Sequence, residues 1–390
     1  MVDMIKCLHI CNDFLGSRVH RNLYTALSEK NLDQIVYYPQ GSGTPDPSAP
    51  PPPFDVLAGE FKTSPLDRIN QVRKAEKSYN SIRSNIDLNS VDIVHASTLV
   101  SNGLIAYKIF KEYNIPYIIA VRGTDINLFL RFRPDLYRLI LKILQNASKI
   151  VFISQAHQRH FYKKRFIKKF TGYKELADKT KVIHNGIQDF WLINQRPLNK
   201  KNSNPCKLLY IGNFRPNKNT YRLAKAVIDI HENINNSISI SFVGKGGSEE
   251  KKIRYLAKKY SFINFLGPQY NKEELFKIIR DHHIFAMVSH SETFGLVYLE
   301  ALSQGLPIVY TSGQGIDGTF SFEVGRSAIP KKVSSIKESI MHCIAEYSNF
   351  HLEKIDFNVF KWSTVSANYM DLYFEVLSKN KLPISEESSV

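Results

Sequence analysis

Two glutamates eight positions apart, Glu292 and Glu300, enclose a segment that suits a phosphorylated ligand. The apolar run 284–288 ahead of them predicts a buried parallel strand, and residues 296–304 predict a helix. Glu292 then lies just before the helix, and Glu300 lies about one turn inside it. Both carboxylates can therefore accept hydrogen bonds from hydroxyl groups of a ligand bound at the start of this helix.

A strand that leads directly into a helix leaves the first amides of that helix without partners inside it. Here those amides belong to Phe294, Gly295 and Leu296, and together with the helix dipole they predict an anion site. Ser289, directly after the strand, is a further candidate to contact the ligand. A ligand with phosphate in the middle and hydroxyl groups at both ends fits, which describes a sugar nucleotide. Taken singly, each glutamate is better explained by helix capping or solvent exposure, so the prediction rests on the combination.

Basic side chains follow the first predicted strand of the second half of the chain. Lys218 is placed to neutralise the phosphates of such a ligand and to stabilise a departing nucleoside diphosphate, and Arg215 is a second candidate. In the first half, Arg122 and Asp125 follow the predicted strand 117–121, so both are candidates to contact the donor. An arginine cannot act as a base near neutral pH, so Arg122 is expected to bind a phosphate or a sugar hydroxyl, or to pair with Asp125.

Strands that alternate with helices must position these side chains. The apolar patterns predict strands at 4–11, 34–38, 91–96, 117–121, 149–153, 181–184, 206–212, 237–243, 262–266, 284–288 and 308–311, with helices between most of them. This alternation predicts an α/β fold with two doubly wound parallel sheets. Ligands of such sheets bind beyond the carboxyl ends of the strands, so a cleft between the two halves is the expected site.

The predicted division of the chain follows from the polar stretch 194–205, which is poor in apolar residues and indicates a linker. We expect one Rossmann-like domain at 1–193, a second at 206–360, a helix at 361–380 and a tail at 381–390. The proline-rich run 41–54 predicts a stiff surface loop.

Composition excludes several classes of protein. No apolar stretch approaches the roughly 18 residues that span a bilayer, and the start of the chain does not resemble a signal peptide, so a cytoplasmic location is expected. The four cysteines lack Cys-x-x-Cys spacing, which argues against a disulfide framework or a zinc site. The first strand is not followed by the glycine pattern of a nicotinamide enzyme, and the chain has no Asp-x-Asp motif for a metal-bound sugar nucleotide. We therefore expect neither a cofactor nor a metal.

The net charge of the chain is +16, and much of the excess lies in one segment. Residues 158–181 hold nine lysines and arginines against Glu175 and Asp178, with five aromatic side chains among them. This mixture suits an anionic membrane surface, where basic residues attract the headgroups and aromatic rings anchor at their depth. A nucleic acid would also bind these basic residues through its phosphates, and a solvated helical face would have a similar composition. A membrane surface, a nucleic acid and a solvated face therefore all remain open as interpretations.

The segment 289–307 resembles the E-x7-E signature of the retaining glycosyltransferases of family 4, which have the two-domain GT-B fold. The resemblance implies that Glu292 contacts the donor sugar, that Glu300 binds the nucleotide ribose, and that the amides between them hold the diphosphate. It also implies that the first domain binds the acceptor, that the second binds the donor, and that the helix 361–380 crosses back onto the first domain.

Three other segments resemble motifs of this family and depart from them in part. Residues 212–218 are similar to the family's G-R-x-x-x-x-K motif, with Asn213 at the arginine position and Lys218 at the lysine position. Either the arginine two positions later reaches the phosphate instead, or Lys218 acts with less help. Arg122 stands where the family's H-G-x-D motif has histidine. Gly16 matches loosely the glycine-rich loop that approaches donor and acceptor.

The resemblance implies a retaining hexosyltransferase that uses a UDP- or GDP-type sugar donor and a sugar or lipid-linked saccharide acceptor, as in cell-surface polysaccharide or glycolipid assembly. In the mechanism proposed for the family, the leaving phosphate accepts the proton of the acceptor, so neither a protein base nor a metal is needed. The basic segment 158–181 extends this to a protein that works at the inner face of the cell membrane, with no nucleic-acid partner expected. The alternatives are another GT-B enzyme, such as a phosphorylase or an epimerase, and a non-catalytic basic module that binds nucleic acid or an anionic polymer.

Overall fold

The computed structural model describes residues 4–40, 50–170, 172–197 and 206–380. Its contacts divide the chain into two compact units: Met1–Ile153, Gln158–Gly186 and Trp362–Val390 form the first, and Ser154–His157 and Ile187–Lys361 form the second. The predicted tail 381–390, most of the proline-rich run and the linker from residue 198 to 205 lie outside the described residues. Residues 187–193, which the sequence placed in the first domain, make their contacts with the second unit.

The first unit is built on a sheet of seven parallel strands. In chain order they are β1 Lys6–Ile10, β2 Asp33–Gln40, β3 Asp55–Lys62, β4 Ile93–Ala96, β5 Tyr117–Ala120, β6 Lys149–Phe152 and β7 Thr180–Val182. Their order across the sheet is β3-β2-β1-β4-β5-β6-β7, with Ile10 of β1 opposite Tyr37 on one side and Ala96 on the other. The order reverses between β1 and β4, which is the position where sheets of this kind bind ligands.

Helices connect these strands. They are α1 Arg18–Ser28, α2 Pro65–Ile69, α3 Gln71–Asn85, α4 Gly103–Tyr113, α5 Leu130–Phe132, α6 Tyr137–Asn146, α7 Gln155–Tyr162, α8 Arg165–Lys168 and α9 Tyr173–Asp178. A π-helical turn, Asp125–Phe129, and two 3-10 turns, Leu88–Ser90 and Pro134–Leu136, complete this part of the chain.

The second unit repeats the plan with six parallel strands. They are β8 Lys207–Ile211, β9 Ser239–Val243, β10 Ile263–Gly267, β11 Ile284–Ala286, β12 Ile308–Thr311 and β13 Gly325–Ala328, in the order β10-β9-β8-β11-β12-β13. Its helices are α10 Asp189–Ile193, α11 Thr220–Asn233, α12 Glu250–Lys259, α13 Lys272–Arg280, α14 Leu296–Ser303 and α15 Val333–Ala345. The 3-10 turns Pro216–Lys218, Tyr347–Asn349, Leu352–Lys354 and Phe357–Phe360 also belong here. The order reverses between β8 and β11.

Local sequence explains why these elements form. Every residue of β4, β5 and β6 is buried, as expected for central parallel strands that are covered on both faces. In α6 the buried residues Ile140, Ile143 and Leu144 share one face at helical spacing. Ser17 caps α1, because its hydroxyl oxygen accepts a hydrogen bond from the His20 amide at 3.4 Å.

The last helix of the described chain, α16 Trp362–Asn380, is part of the core of the first unit. Its Tyr369 and Tyr373 are buried in the same apolar cluster as Tyr24 of α1. The Tyr373 hydroxyl forms a hydrogen bond of 2.8 Å with Nδ1 of His95, which belongs to β4. Helix α16 therefore completes a core that β1 and α1 begin.

The predicted fold class is confirmed: the chain is α/β, with two doubly wound parallel sheets. The sequence missed the edge strands β3 and β13 and the helices α3 and α15. The cleft expected between the two halves stays a prediction.

Truncating Tyr373 should destabilise the first unit. Tyr373→Ala removes a fully buried ring, so we expect the free energy of unfolding to fall by about 3 to 5 kcal/mol. Tyr373→Phe keeps the ring but removes the hydroxyl, which forms hydrogen bonds with His95 and with the Cys7 thiol, and should cost about 1 to 2 kcal/mol. Denaturant unfolding followed by circular dichroism measures both values.

Phe374→Ala is the matched control, because Phe374 neighbours Tyr373 on α16 but is 47% exposed. Its effect should stay below about 1 kcal/mol. Equal losses for Tyr373→Ala and Phe374→Ala would show that α16 does not pack as described.

Candidate functional site

The loops that follow β8 and β11, at the switch point of the second sheet, hold the candidate site. After β8, the 3-10 turn Pro216–Lys218 carries Lys218. Asn219 follows in the left-handed conformation, and its side-chain amide donates to the carbonyl oxygens of Val288 at 3.1 Å and Pro330 at 2.7 Å. This amide ties the loop after β8 to the chain that follows β11.

An ion pair between Lys218 and Glu292 is the centre of this region. Nζ of Lys218 lies 2.7 Å from Oε2 of Glu292, and the two side chains are 22% and 13% exposed. The hydroxyl of Ser289 donates to the same carboxylate oxygen at 3.4 Å. The sequence predicted both charges near a ligand, but not their direct contact. Removing either partner would leave the other charge poorly hydrated and unpaired.

Hydrogen bonds from the end of β12 and from the loop that follows it fix the backbone around Glu292. The Thr311 hydroxyl donates to the Ser289 carbonyl at 2.7 Å, and the Gly315 amide donates to the Glu292 carbonyl at 2.9 Å. The side-chain oxygen of Gln314 accepts from the Glu292 amide at 3.4 Å. Gly315 has a φ of 58°, and a Cβ there would lie 2.9 Å from a backbone oxygen, so this position requires glycine.

Asn217 makes a further link that the sequence did not reveal. Its carbonyl oxygen accepts from the His290 amide at 2.7 Å, and its side-chain amide donates to the Ser291 carbonyl at 2.8 Å. The sequence signal for Asn217 and Asn219 was their place in a Pro-Asn-Lys-Asn turn, since asparagine side chains bond local backbone and tolerate left-handed geometry.

The helix predicted after Glu292 begins as α14 at Leu296. Gly295 precedes it with a φ of 84°, and a Cβ there would come within 2.6 Å of the Tyr298 ring. The Phe294 ring is buried and lies near that of Phe360. The side chain of Phe294 therefore packs in the core. The groups of residues 294–296 that could bind a ligand are their backbone amides at the start of the helix.

Glu300 lies a little more than one turn inside α14 and is partly buried. Burial raises the pKa of its carboxyl from 4.5 to about 7, and the positive charge of Lys272 opposes this rise. Near neutral pH the group is therefore divided between its neutral and charged forms. Hydroxyl groups of a ligand that donate to the carboxylate would favour the charged form.

Asn213 and Arg215 differ from Lys218 in their surroundings. The Asn213 side-chain oxygen accepts from the Arg215 amide at 3.3 Å, and its carbonyl accepts from the Tyr210 hydroxyl at 2.6 Å. Asn213 therefore shapes the turn after β8. Arg215 is exposed, whereas Lys218 is partly buried and fixed by its ion pair.

The structure corrects the expectation that Asp125 contacts a ligand. Its side chain has no exposed surface. One carboxylate oxygen accepts from the amides of Leu99 at 3.1 Å and Arg122 at 2.8 Å, and the other accepts from the Val100 amide at 3.0 Å. Burial raises the pKa of this carboxyl to about 6 in spite of these hydrogen bonds. Asp125 holds the loops after β4 and β5 together and offers no surface to a ligand.

Arg122 and Gly16 are the other candidates in the first unit. The Nε of Arg122 donates to the Ser97 carbonyl at 3.2 Å, which places the guanidinium at the carboxyl ends of β4 and β5. The pKa of the nearby His20 is lowered to about 3, first by burial and then by the charge of Arg122. Gly16 is exposed in the turn between β1 and α1.

The four cysteines are buried thiols. Among the residues that the structure describes, no group of three or more histidine, cysteine, aspartate and glutamate side chains is placed to hold a metal ion. Within the same ranges, no helix has both the length and the apolar content needed to cross a bilayer.

Comparisons with known proteins point to one class. The family described as "Glycosyltransferase Family 4" matches residues 16–189, and the family described as "Glycosyl transferases group 1" matches residues 193–352. The chain has two parallel-sheet α/β units, and the solved structures that resemble it have the GT-B fold. Together the two models cover most of the chain, which therefore consists of a glycosyltransferase family 4 domain followed by a glycosyl transferases group 1 domain.

Individual relatives are distant. TuaC of Bacillus subtilis, described as a teichuronic acid biosynthesis glycosyltransferase, is 22% identical over 260 residues, which are 64% of this chain and 60% of TuaC. Sucrose-phosphate synthase from Thermosynechococcus elongatus has a TM-score of 0.72 at 17% identity, covering 96% of this chain and 100% of that structure. Anabaena HepE in complex with UDP and glucose has a TM-score of 0.63 at 15% identity, covering 97% and 100%. At these identities the structures establish the fold.

Replacing Glu300 with glutamine should remove a pH dependence from the stability of the second unit. The unfolded chain loses this proton near pH 4.5, whereas the folded protein keeps it until about pH 7. The free energy of unfolding of the wild type should therefore fall relative to that of Glu300→Gln as the pH rises between these values, by roughly 3 kcal/mol at most. Denaturant unfolding at a series of pH values measures the difference.

Glu338→Gln is the control, because Glu338 is an exposed glutamate on α15. Its stability should follow that of the wild type over the whole pH range. Parallel curves for the wild type and Glu300→Gln would contradict the burial of Glu300.

Proposed function

We propose that this protein is a retaining glycosyltransferase that moves a hexose from a nucleoside-diphosphate sugar to a hydroxyl group of a sugar or lipid-linked saccharide. The observation that carries the proposal is the Lys218–Glu292 pair, 2.7 Å apart, held after β8 and β11 beside the start of α14. A cation, a carboxylate and a helix start are the groups that a ligand with a diphosphate and sugar hydroxyls needs.

Lys218 supplies positive charge for the diphosphate. The leaving nucleoside diphosphate gains negative charge as its bond to the sugar breaks, and an ammonium group beside it stabilises that charge. Because the ammonium is held by Glu292 before a donor binds, it needs little reorganisation during the reaction. Arg215 is exposed and free to turn, so it is the candidate for a second phosphate contact.

Glu292 orients the donor sugar. Lys218 and Ser289 both contact its Oε2, while Oε1 accepts a hydrogen bond of 3.3 Å from the Thr293 amide. A carboxylate has about four lone-pair positions, so Oε1 retains capacity for a sugar hydroxyl. Glu300 is assigned to the ribose hydroxyls of the nucleotide.

The acceptor hydroxyl passes its proton to the leaving phosphate as the new bond to the sugar forms on the same face. Two features of the first unit support a step without a protein base. Asp125 is fully buried and bonded to backbone amides, and a guanidinium such as that of Arg122 does not serve as a base. Arg122 is assigned to bind a phosphate or a sugar hydroxyl, and no metal or cofactor takes part.

Two relatives support the substrate classes. HepE was solved with UDP and glucose, and TuaC is described as acting in teichuronic acid biosynthesis. For this chain we infer a UDP- or GDP-type donor and a role in cell-surface polysaccharide or glycolipid assembly. Membership of the glycosyltransferase family favours transfer over phosphorolysis, epimerisation or non-catalytic binding of nucleic acid. The positive charge of residues 158–181 supports work at the inner face of the cell membrane.

A thermal-shift panel of UDP, GDP, ADP and CMP tests donor binding. Either UDP or GDP should raise the unfolding midpoint clearly above the other nucleotides, because binding of the folded form stabilises it. Lys218→Gln should lose this response. Lys225→Gln, which removes an exposed lysine of α11, should keep it. Equal responses to all four compounds, or none, would contradict the proposed donor site.

Separate roles for the two glutamates predict separate losses. Glu292→Gln should lower the rate of nucleoside diphosphate release during transfer by about 100-fold with a modest change in nucleotide affinity. Glu300→Ala should weaken nucleotide binding itself by about tenfold, because hydroxyl groups lose their acceptor. Calorimetry measures the nucleotide affinity, and a kinetic assay run in EDTA measures the rate of transfer. Proton NMR of the product gives its anomeric configuration. The reverse pattern would overturn the assignment, and an inverted product would exclude retention.

A further inference from the structure

The first unit contains a cavity of about 650 Å³ that the proposed transfer site does not use. This volume lies in the range of small-molecule binding sites, about 300 to 1,000 Å³. One part of its lining is apolar and comes from Leu130, Leu141, Phe166 and Phe170. The Tyr137 ring also lines it and stacks on Phe166 with 4.0 Å between ring centroids. The wall is therefore a preformed apolar surface.

Three cations, Lys164, Arg165 and Lys169, line the same cavity. None of the described residues that line it is acidic, and no ion pair among the described residues involves any of the three. The pKa of Lys164 is lowered, first by burial and then by the charge of Arg131. A fourth positive charge is thus close to this group. Such an uncompensated cluster beside apolar walls attracts a ligand that is both anionic and apolar.

Neighbouring side chains extend the apolar character to the surface. Leu128 and Phe132, two positions either side of the lining residue Leu130, are 50% and 59% exposed. Arg131 lies over the Phe132 ring at 4.9 Å. Exposed apolar side chains with basic residues between them are the composition of a surface that meets lipid headgroups.

We propose that this cavity binds one anionic amphiphile, with a phosphate head contacting Lys164, Arg165 and Lys169 and a hydrocarbon chain lying against Phe166 and Phe170. This inference rests on the proposed function and makes it more specific. The cavity would hold the phosphate of a lipid-linked acceptor and the start of its hydrocarbon chain. A solvated helical face accounts for exposed cations but not for an apolar cavity that they line. A nucleic acid would need flat rings to stack on, whereas the rings here form the wall of a pocket together with two leucines.

Calorimetry on the full chain tests the proposal with decyl phosphate as the probe, below its micelle-forming concentration. Decyl phosphate should bind at one saturable site, about tenfold or more tightly than inorganic phosphate, butyl phosphate or decyl maltoside. Inorganic and butyl phosphate test the need for the chain, and decyl maltoside tests the need for the anionic head. Equal binding of decyl maltoside would leave a plain apolar surface and overturn the proposal. Displacement of the probe by a tighter-binding oligonucleotide would overturn it in favour of nucleic acid.

A matched pair of double variants locates the site. Lys164→Gln with Lys169→Gln should weaken decyl phosphate binding by about tenfold or more. Lys163→Gln with Lys168→Gln removes the same charge from two exposed lysines that do not line the cavity, and should change the affinity by less than about threefold. Equal losses of decyl phosphate affinity in the two double variants would show a diffuse attraction to surface charge, and would contradict the assignment of the cavity as the binding site.

Nucleotide affinity, measured on the same variants, separates this proposal from the proposed function. Both double variants should bind UDP or GDP like the wild type, because none of the altered lysines is assigned to the donor, and the residues assigned to its nucleotide, Lys218 and Glu300, lie in the second unit. A wild type that binds decyl phosphate but no nucleotide would refute the transferase and leave the lipid site standing. A wild type that binds a nucleotide but not decyl phosphate would refute the lipid site and leave the proposed transferase standing.

Discussion

The contact between Lys218 and Glu292 sets the demands that the rest of the second unit meets. Two charges that are 22% and 13% exposed lose much of their hydration, so each depends on the position of the other. The two residues are 74 positions apart in sequence. They meet because β8 and β11 are neighbours in the sheet and their loops leave it at the same edge. Asn219, Thr311 and Gly315 then hold those loops in place through backbone carbonyls and amides.

Local sequence predicts part of this arrangement. The strand, the turn and α14 could be predicted from local residues. An apolar run marks the strand, Gly295 lies in the turn just before α14, and Gly305 follows the end of that helix. The ion pair could not be predicted, since residue types and spacing carry no information about which loops meet at one edge. The edge strands β3 and β13 were missed for another reason, whereas the edge strands β7 and β10 were predicted. β3 has only a three-residue apolar run, Val-Leu-Ala, followed by Gly59 and Glu60, and β13 reads Gly-Arg-Ser-Ala, so neither has the longer apolar run of a central strand.

Asp125 and Glu292 show why a carboxylate after a parallel strand is ambiguous in a sequence. Both lie where ligands bind in sheets of this kind, and both accept hydrogen bonds that fix them. Asp125 accepts from three backbone amides of two loops and has no exposed surface, so it offers nothing to a ligand. Glu292 also accepts three hydrogen bonds, from Lys218, Ser289 and the Thr293 amide, but its side chain stays 13% exposed. The deciding quantity is the exposed surface that the carboxylate keeps, which the conformation of the neighbouring loops sets.

The positive charge of the chain occurs in two physical settings with different consequences. Lys218 is paired and partly buried, so its field is largely local and its position is fixed before a ligand arrives. Lys164, Arg165 and Lys169 have no ion-pair partner among the described residues, so their fields add and extend into solvent. Screening by salt weakens the second set more than the first. A fixed, paired cation suits charge that develops during a reaction, whereas an additive, unpaired cluster suits capture of a ligand that already carries its charge.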